Sequence, residues 1–267
     1  MKNAWILVPV LFMAISASFV FPQTFNDELQ LGIAAYRENR YEQAMQHFEK
    51  AVEHNPDNVI AHMYLATACA SQYIPGVDTQ NNLAIAEKAI ARYQEVLDLN
   101  SNTDQKINSA KGIAYLYLNL AQWDDAREYY EMVSDLDPND SEAPYSLGVI
   151  DWTQCYQPRM EARARLDIKP DERLNAKKTA QKKLCDELRA RNWTVIEDGI
   201  DKLDRAIQLR PDYDDAMAYM NLMYRERADL ECTDLSAREQ DLKTADEWID
   251  KVMAARKANA KKADGPK

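Results

Sequence analysis

The sequence is poor in glycine and histidine and sparing with cysteine. Six glycines in 267 residues fall well below the average of about 7%. Sandwiches, barrels and chains of βα units need glycine at their turns, so its scarcity argues for helices. The three histidines all lie between residues 47 and 62, which leaves little material for a histidine-based site. The patterns G-x-G-x-x-G, G-x-x-x-x-G-K-[ST] and H-E-x-x-H are absent, and with them the common phosphate-cradling and zinc-hydrolase motifs. An excess of cations is missing too: 33 Lys and Arg stand against 44 Asp and Glu, a formal charge of −11. Binding to nucleic acid needs a basic footprint that displaces counterions, so nucleic acid is not an expected partner. The four cysteines, Cys69, Cys155, Cys185 and Cys232, include no C-x-x-C pair and no Cys/His cluster suited to a metal. Neither an enzymatic activity nor a cofactor is expected.

The N-terminus is a separate object. One positive charge at Lys2 precedes Ala4–Phe21, which runs 18 residues without a charge and is broken by Pro9. Small residues follow its centre (Ala14, Ser16, Ala17, Ser18). Residues 1–23 therefore read as a signal peptide cleaved after Ser16 or Ser18, or as an uncleaved N-terminal anchor, since 18 apolar residues just span a bilayer. No cysteine lies near this segment, which excludes a lipoprotein anchor. The expected location is the periplasm, free or anchored to the inner membrane and facing it. In such an oxidising compartment an even number of cysteines permits disulfides, but the spacing favours buried thiols.

The informative signal is a repeat. Phe25 to Asn58 forms a 34-residue unit with Gly32 at position 8, Ala44 at 20, Phe48 at 24, Ala51 at 27 and Pro56 at 32. Ile107 to Asp140 repeats it without gaps: Ala114, Ala126, Tyr130, Val133 and Pro138 fall at the same positions. Small residues at 8, 20 and 27 let two helix backbones approach where they cross. The large residue at 24 fills the space beside them. Proline at 32 stops the second helix, and the Asp and Asn beside it cap the next one.

These are the signature positions of the tetratricopeptide repeat, and the chain resembles that family from about residue 25 to 254, in particular its exported bacterial members. Allowing insertions, repeats fall near 25–58, 59–106, 107–140, 141–213 and 214–254, with Asn221 departing from the pattern at position 8 of the last. The resemblance implies an all-α, right-handed solenoid of five helix pairs, with a two-helix insertion in repeat 4 projecting as a spur. It implies a concave face lined by positions 2, 5, 9, 12 and 13 of each first helix. From that face the candidate partner-binding residues are Tyr36, Met63, Thr67, Lys111, Tyr115, Asn119, Tyr145, Trp152 and Arg225. Tyr115, Tyr145 and Trp152 are expected to share one surface with part of each ring accessible. Aromatic and methionine side chains in a groove make binding hot spots; the competing reading is that neighbouring helices cover them. The chaperone-type carboxylate clamp is not matched: Leu29 and Ile33, then Asn108 and Gly112, stand where it needs lysine, asparagine and arginine.

Two segments depart in charge. Gln157 to Arg191 holds 11 Lys and Arg against 6 Asp and Glu, a basic block suited to an acidic partner or an anionic lipid surface, or simply to a solvated, salt-bridged helix pair. Residues 255–267 form a basic tail without apolar periodicity, expected to be disordered. A straight helical hairpin through the insertion separates Cys155 from Cys185 by about 16 Å, too far for a disulfide. The expected function is that of an exported, non-enzymatic scaffold that holds a protein or peptide partner in its groove. The alternative is a structural subunit of a cell-envelope assembly such as secretion, pilus or outer-membrane biogenesis machinery.

Overall fold

The computed structural model describes residues 24–99, 101–169 and 172–263. The signal peptide or anchor read from residues 1–23 lies outside them. Ten helices follow one another: α1 (Phe25–Arg37), α2 (Tyr41–His54), α3 (Val59–Ala70), α4 (Gln80–Asp98), α5 (Thr103–Asn119), α6 (Trp123–Leu136), α7 (Glu142–Arg165), α8 (Thr179–Leu209), α9 (Asp214–Leu230) and α10 (Leu235–Ala263). Each packs against the next. In addition α1 touches α3, α3 touches α5 and α7 touches α9, so the odd-numbered helices form the inner row of a solenoid in two stretches, α1–α3–α5 and α7–α9. None of the described helices is long and apolar enough to cross a membrane.

The helix boundaries follow from the residues at them. Thr24 and Asp27 form a capping box at the start of α1, and Asn102 and Gln105 form another at α5. Asn58 accepts from the Ala61 N–H at 2.9 Å and Asp140 from the Ala143 N–H at 2.8 Å. Both capping residues sit just past the prolines that end the preceding helices, and each satisfies an N–H that has no partner within its helix.

Packing follows the 34-residue register. Ala44, Ala51, Ala126 and Ala206 are each 0% exposed. A Cβ placed on Gly32 would collide with the Phe48 ring, and one on Gly148 would lie 2.6 Å from Leu203. These are positions 8 and 24 of repeats 1 and 4, so glycine faces the large residue just as the spacing requires.

Repeat 5 differs. Asn221, at position 8, is buried and donates from Nδ2 to the Ala245 carbonyl at 2.6 Å. The polar group is satisfied, which removes the usual cost of burying it. It also occupies the crossing, and α10 turns Asp241, Ala245, Trp248, Val252 and Ala255 inward. Ile249, at the position filled elsewhere by Phe48, Tyr93, Tyr130 and Leu203, is left 43% exposed.

The segment read as a separate two-helix insertion is the second half of α7, a connection, and the first half of α8. Pro158 lies within α7 without ending it. The extension does not project freely. Arg159 is buried and grips Glu226 through Nε and Nη2 (2.7 and 2.8 Å). Arg159 and Arg163 both donate to Asp229 at 2.7 Å. Arg163 also donates to the Lys169 carbonyl at 2.8 Å and to that of Glu172, which fastens the connection. Two of the basic residues thus serve as internal ties to α9.

The cysteines depart from expectation in one pair. Cys185 and Cys232 form a disulfide with Cα atoms 6.4 Å apart, joining α8 to the α9–α10 connection. Cys69 and Cys155 are buried free thiols. The tail expected to be disordered is helical as far as Ala263. Ala255 is buried, Arg256 pairs with Asp214 at 3.0 Å, and Lys262 pairs with Asp212 at 2.7 Å. These anchors lie some forty to fifty residues away in sequence, beyond what local periodicity records.

Candidate functional site

The candidate residues lie on α1, α3, α5, α7 and α9 and are not equally free. Tyr115, on α5, is 49% exposed. One turn on, Asn119 donates from Nδ2 to the Tyr115 carbonyl at 2.7 Å, and with Tyr73 and Val77 it lines a cleft of about 240 Å³. Its wall ends in an apolar lip: Val77 is 40% exposed and Ile74, three residues before it, 58%, and the turn carrying them is held by buried Asn82. The Asn82 Oδ1 accepts from the Ile74 N–H at 2.9 Å, and its Nδ2 donates to the Ile74 and Val77 carbonyls, each at 2.8 Å. Gly76 takes φ +77° in this turn, a conformation that glycine adopts without strain. Large apolar side chains on so firmly held a backbone are not a consequence of loop mobility. Sequence reasoning passed over the lip, although Ile-Pro-Gly-Val between two helices was its signal.

Met63 and Thr67 lie deeper on α3. The Met63 sulfur accepts from the Ser109 hydroxyl at 3.1 Å. The Thr67 hydroxyl donates to the Met63 carbonyl at 2.8 Å. Tyr36 shares a 3.0 Å hydrogen bond with Ser71 and packs on Tyr41 with ring centroids 5.3 Å apart. Lys111 is committed: it pairs with Asp140 and, at 3.0 Å, with Glu142, tying repeat 3 to repeat 4. Arg225 is held by Asp246 at 2.7 Å.

Tyr145 and Trp152 belong to an aromatic cluster between α7 and α9. Tyr145 meets Tyr213 at 4.8 Å and Tyr219 at 5.9 Å. Trp152 stacks on Tyr156 at 4.6 Å and meets the edge of Tyr219 at 5.5 Å. Its indole N–H is buried without a hydrogen-bond partner. Burial pushes the Tyr213 hydroxyl up to about 12 and raises those of Tyr145 and Tyr219, so all three remain neutral donors. Tyr145 and Trp152 are half-buried and serve as packing residues. Tyr213, Tyr219 and Tyr156, which complete the cluster, lie outside the five lining positions.

Two histidines pin helices together. His47 bonds buried Glu28 at 2.6 Å, joining α2 to α1. His62, read from sequence as a surface or groove-edge residue, is buried between Glu95 at 3.2 Å and the Pro56 carbonyl at 2.8 Å. Among the described residues no three His, Cys, Asp or Glu side chains converge as a metal site requires.

Comparison with known proteins agrees with this architecture. Tetratricopeptide-repeat family models match residues 29–58 and 112–140. No curated protein sequence matches. A solved structure of MamA superposes with a TM-score of 0.58 at 12% identity, covering 89% of this chain and 94% of its own. MamA from Desulfovibrio magneticus RS-1 gives 0.55 at 17%, covering 88% and 96%. YrrB, described as a TPR protein with an unusual peptide-binding site, gives 0.50 at 14%, covering 88% and 91%. At these identities the likeness is one of fold. Two segments, 29–58 and 112–140, are thus tetratricopeptide repeats, and with the small-against-large packing of Gly32 on Phe48 and Gly148 on Leu203 the chain has the solenoid fold of that family.

Proposed function

We propose that the chain is a non-enzymatic scaffold that holds a segment of a protein partner against its inner row of helices. The observation that carries this reading is the set of exposed apolar side chains at and next to the Asn119 cleft: Val77 in its wall, Ile74 on the same turn, and Tyr115 one helical turn before Asn119. A rigid edge that shows large apolar side chains to water gains free energy when a partner covers it, at about 25 cal/mol per Å². It also loses little entropy on binding, because Asn82 already fixes the turn. The peptide-binding description of YrrB points to the same class of partner. The double pairing of Lys111 with Asp140 and Glu142 argues against recognition centred on an acidic chain end there. An apolar or amphipathic segment, helical or extended, fits better.

We further propose that the protein works outside the inner membrane. The uncharged run Ala4–Phe21 and the Cys185–Cys232 disulfide support an oxidising, exported setting. The alternative role, a structural subunit of an envelope assembly, draws on the exposed Lys177, Lys178, Lys182 and Lys183 near the start of α8, which suit an acidic partner or anionic lipid.

A photo-crosslinking residue placed at position 115, at 128 on the outer helix α6, or at 178 separates these readings. Groove capture requires a specific adduct from 115 and none from 128. Adducts from 128 or 178 with none from 115 would favour the assembly role and overturn groove capture.

A further inference from the structure

The last helix carries a second apolar surface, unrelated to the groove. On α10 the inward stripe is Asp241, Ala245, Trp248, Val252 and Ala255. Rotated away from it, Leu235, Ile249 and Met253 are 49%, 43% and 64% exposed, and half-buried Leu242 lies in line with them. The spacing 235, 242, 249, 253 keeps these side chains on one face of a helix. Isolated exposed apolar residues need no explanation, but four in a row on one helix form a stacking face that no other described residue covers.

The charges on α10 specify what fits there. From Leu235 to Asp250 there are five carboxylates and two cations; from Lys251 to Ala263 there are five cations and no carboxylate. Two such helices repel when parallel and attract when antiparallel. We propose that the partner for this face is a second copy of the same chain, joined α10 to α10 across a two-fold axis near residue 251. That axis places Ile249 beside Met253 of the second copy and Leu242 beside its Ala260, while Leu235 lies outside the pair. It also brings the same flank of both helices together, so Asp246 of each copy faces Lys257 of the other. Asp246 accepts from Arg225 through Oδ1, which leaves Oδ2 for the incoming ammonium. The interface is isologous and closes at a dimer. A single helix pair lies near the low end of stable interfaces, about 1,200 Å² in total, so association is reversible and depends on concentration.

The spacing supplies an unambiguous test. Asp246 and Lys257 are eleven residues apart on one helix, about 16 Å at a rise of 1.5 Å per residue. A zero-length carbodiimide link between their side chains therefore forms only between two molecules. The full chain, held in a mild nonionic detergent on account of Ala4–Phe21, is cross-linked over a concentration series and the linked peptides are mapped by mass spectrometry. The expected result is a dimer that grows with concentration and contains the 246–257 link. Met253→Glu should reduce that dimer at least tenfold, with the circular dichroism spectrum and melting temperature unchanged, because the side chain is mostly exposed. Lys257→Glu should abolish the link and weaken the dimer. A chain that remains monomeric throughout, or a dimer that survives Met253→Glu with its links elsewhere, overturns the proposal. Neither result bears on capture at Tyr115.

Discussion

Residue by residue, the fold depends on matching small side chains to large ones. Gly32 shows how sharply. Alanine is intrinsically better in a helix by about 1 kcal/mol, yet its Cβ would enter the Phe48 ring, and overpacking typically costs about 1–3 kcal/mol. Gly32→Ala should therefore destabilise the chain by up to about 2 kcal/mol, seen as a lower urea midpoint. Equal or greater stability would mean that Phe48 has room to move. The cysteines give a second test at this scale. Burial pushes the Cys69 thiol up to about 11 and that of Cys155 up to about 12. Neither supplies thiolate near neutral pH, the form that reacts. The native, non-reduced chain should resist alkylation at pH 8. The denatured, non-reduced chain should take label at Cys69 and Cys155 alone, leaving a linked Cys185–Cys232 peptide.

At the level of elements, what the sequence discloses depends on how local the cause is. Gly32 with Phe48, or Ala126 with Tyr130, lie within one 34-residue unit, so spacing alone places them. The tie between Arg159 and Glu226 spans 67 residues and joins two repeats, and a count of basic residues registers it only as surplus charge. The same limit explains Trp152. Its position marks the inner row, but the contact with Tyr219 that makes it a packing residue comes from the next repeat. Trp152→Ala should therefore lower stability by about 2 kcal/mol, less than the 3–5 kcal/mol of a fully buried aromatic, in addition to any effect on a partner. An unchanged melting temperature would return Trp152 to the open groove. The ion pairs admit a stricter experiment. Arg159→Met leaves Glu226 buried without its bidentate partner and should cost about 3–5 kcal/mol. Adding Glu226→Leu should recover most of that loss, because Asp229 keeps Arg163. If the single variant is harmless, or the double variant no better than the single, the pair does not hold the extension of α7 against α9.

For the whole molecule, a solenoid has no long-range core, so its stability is nearly a sum of neighbouring contacts. The described structure reflects this: its apolar clusters follow one another along the chain, gathering α1 to α5, then α5 to α7, then α7 to α9. A cross-link should then act where it sits. The Cys185–Cys232 bond spans 47 positions, and closing a loop of that size removes unfolded-state entropy equivalent to about 4 kcal/mol. That stabilisation belongs to repeats 4 and 5, where the buried ion pairs of Arg159 and Arg163 also lie. Reduction should accordingly raise amide hydrogen exchange in α8, α9 and the connection between α9 and α10. Exchange in α1 to α4, which share no contact with the bond, should stay the same. Uniform acceleration along the chain would mean that the repeats unfold as one cooperative unit, and the local account of the disulfide would fail. Retention of the α1–α4 pattern would leave the Tyr115 edge in place after reduction, because its supports, Asn82 and Tyr73, lie on the unaffected side.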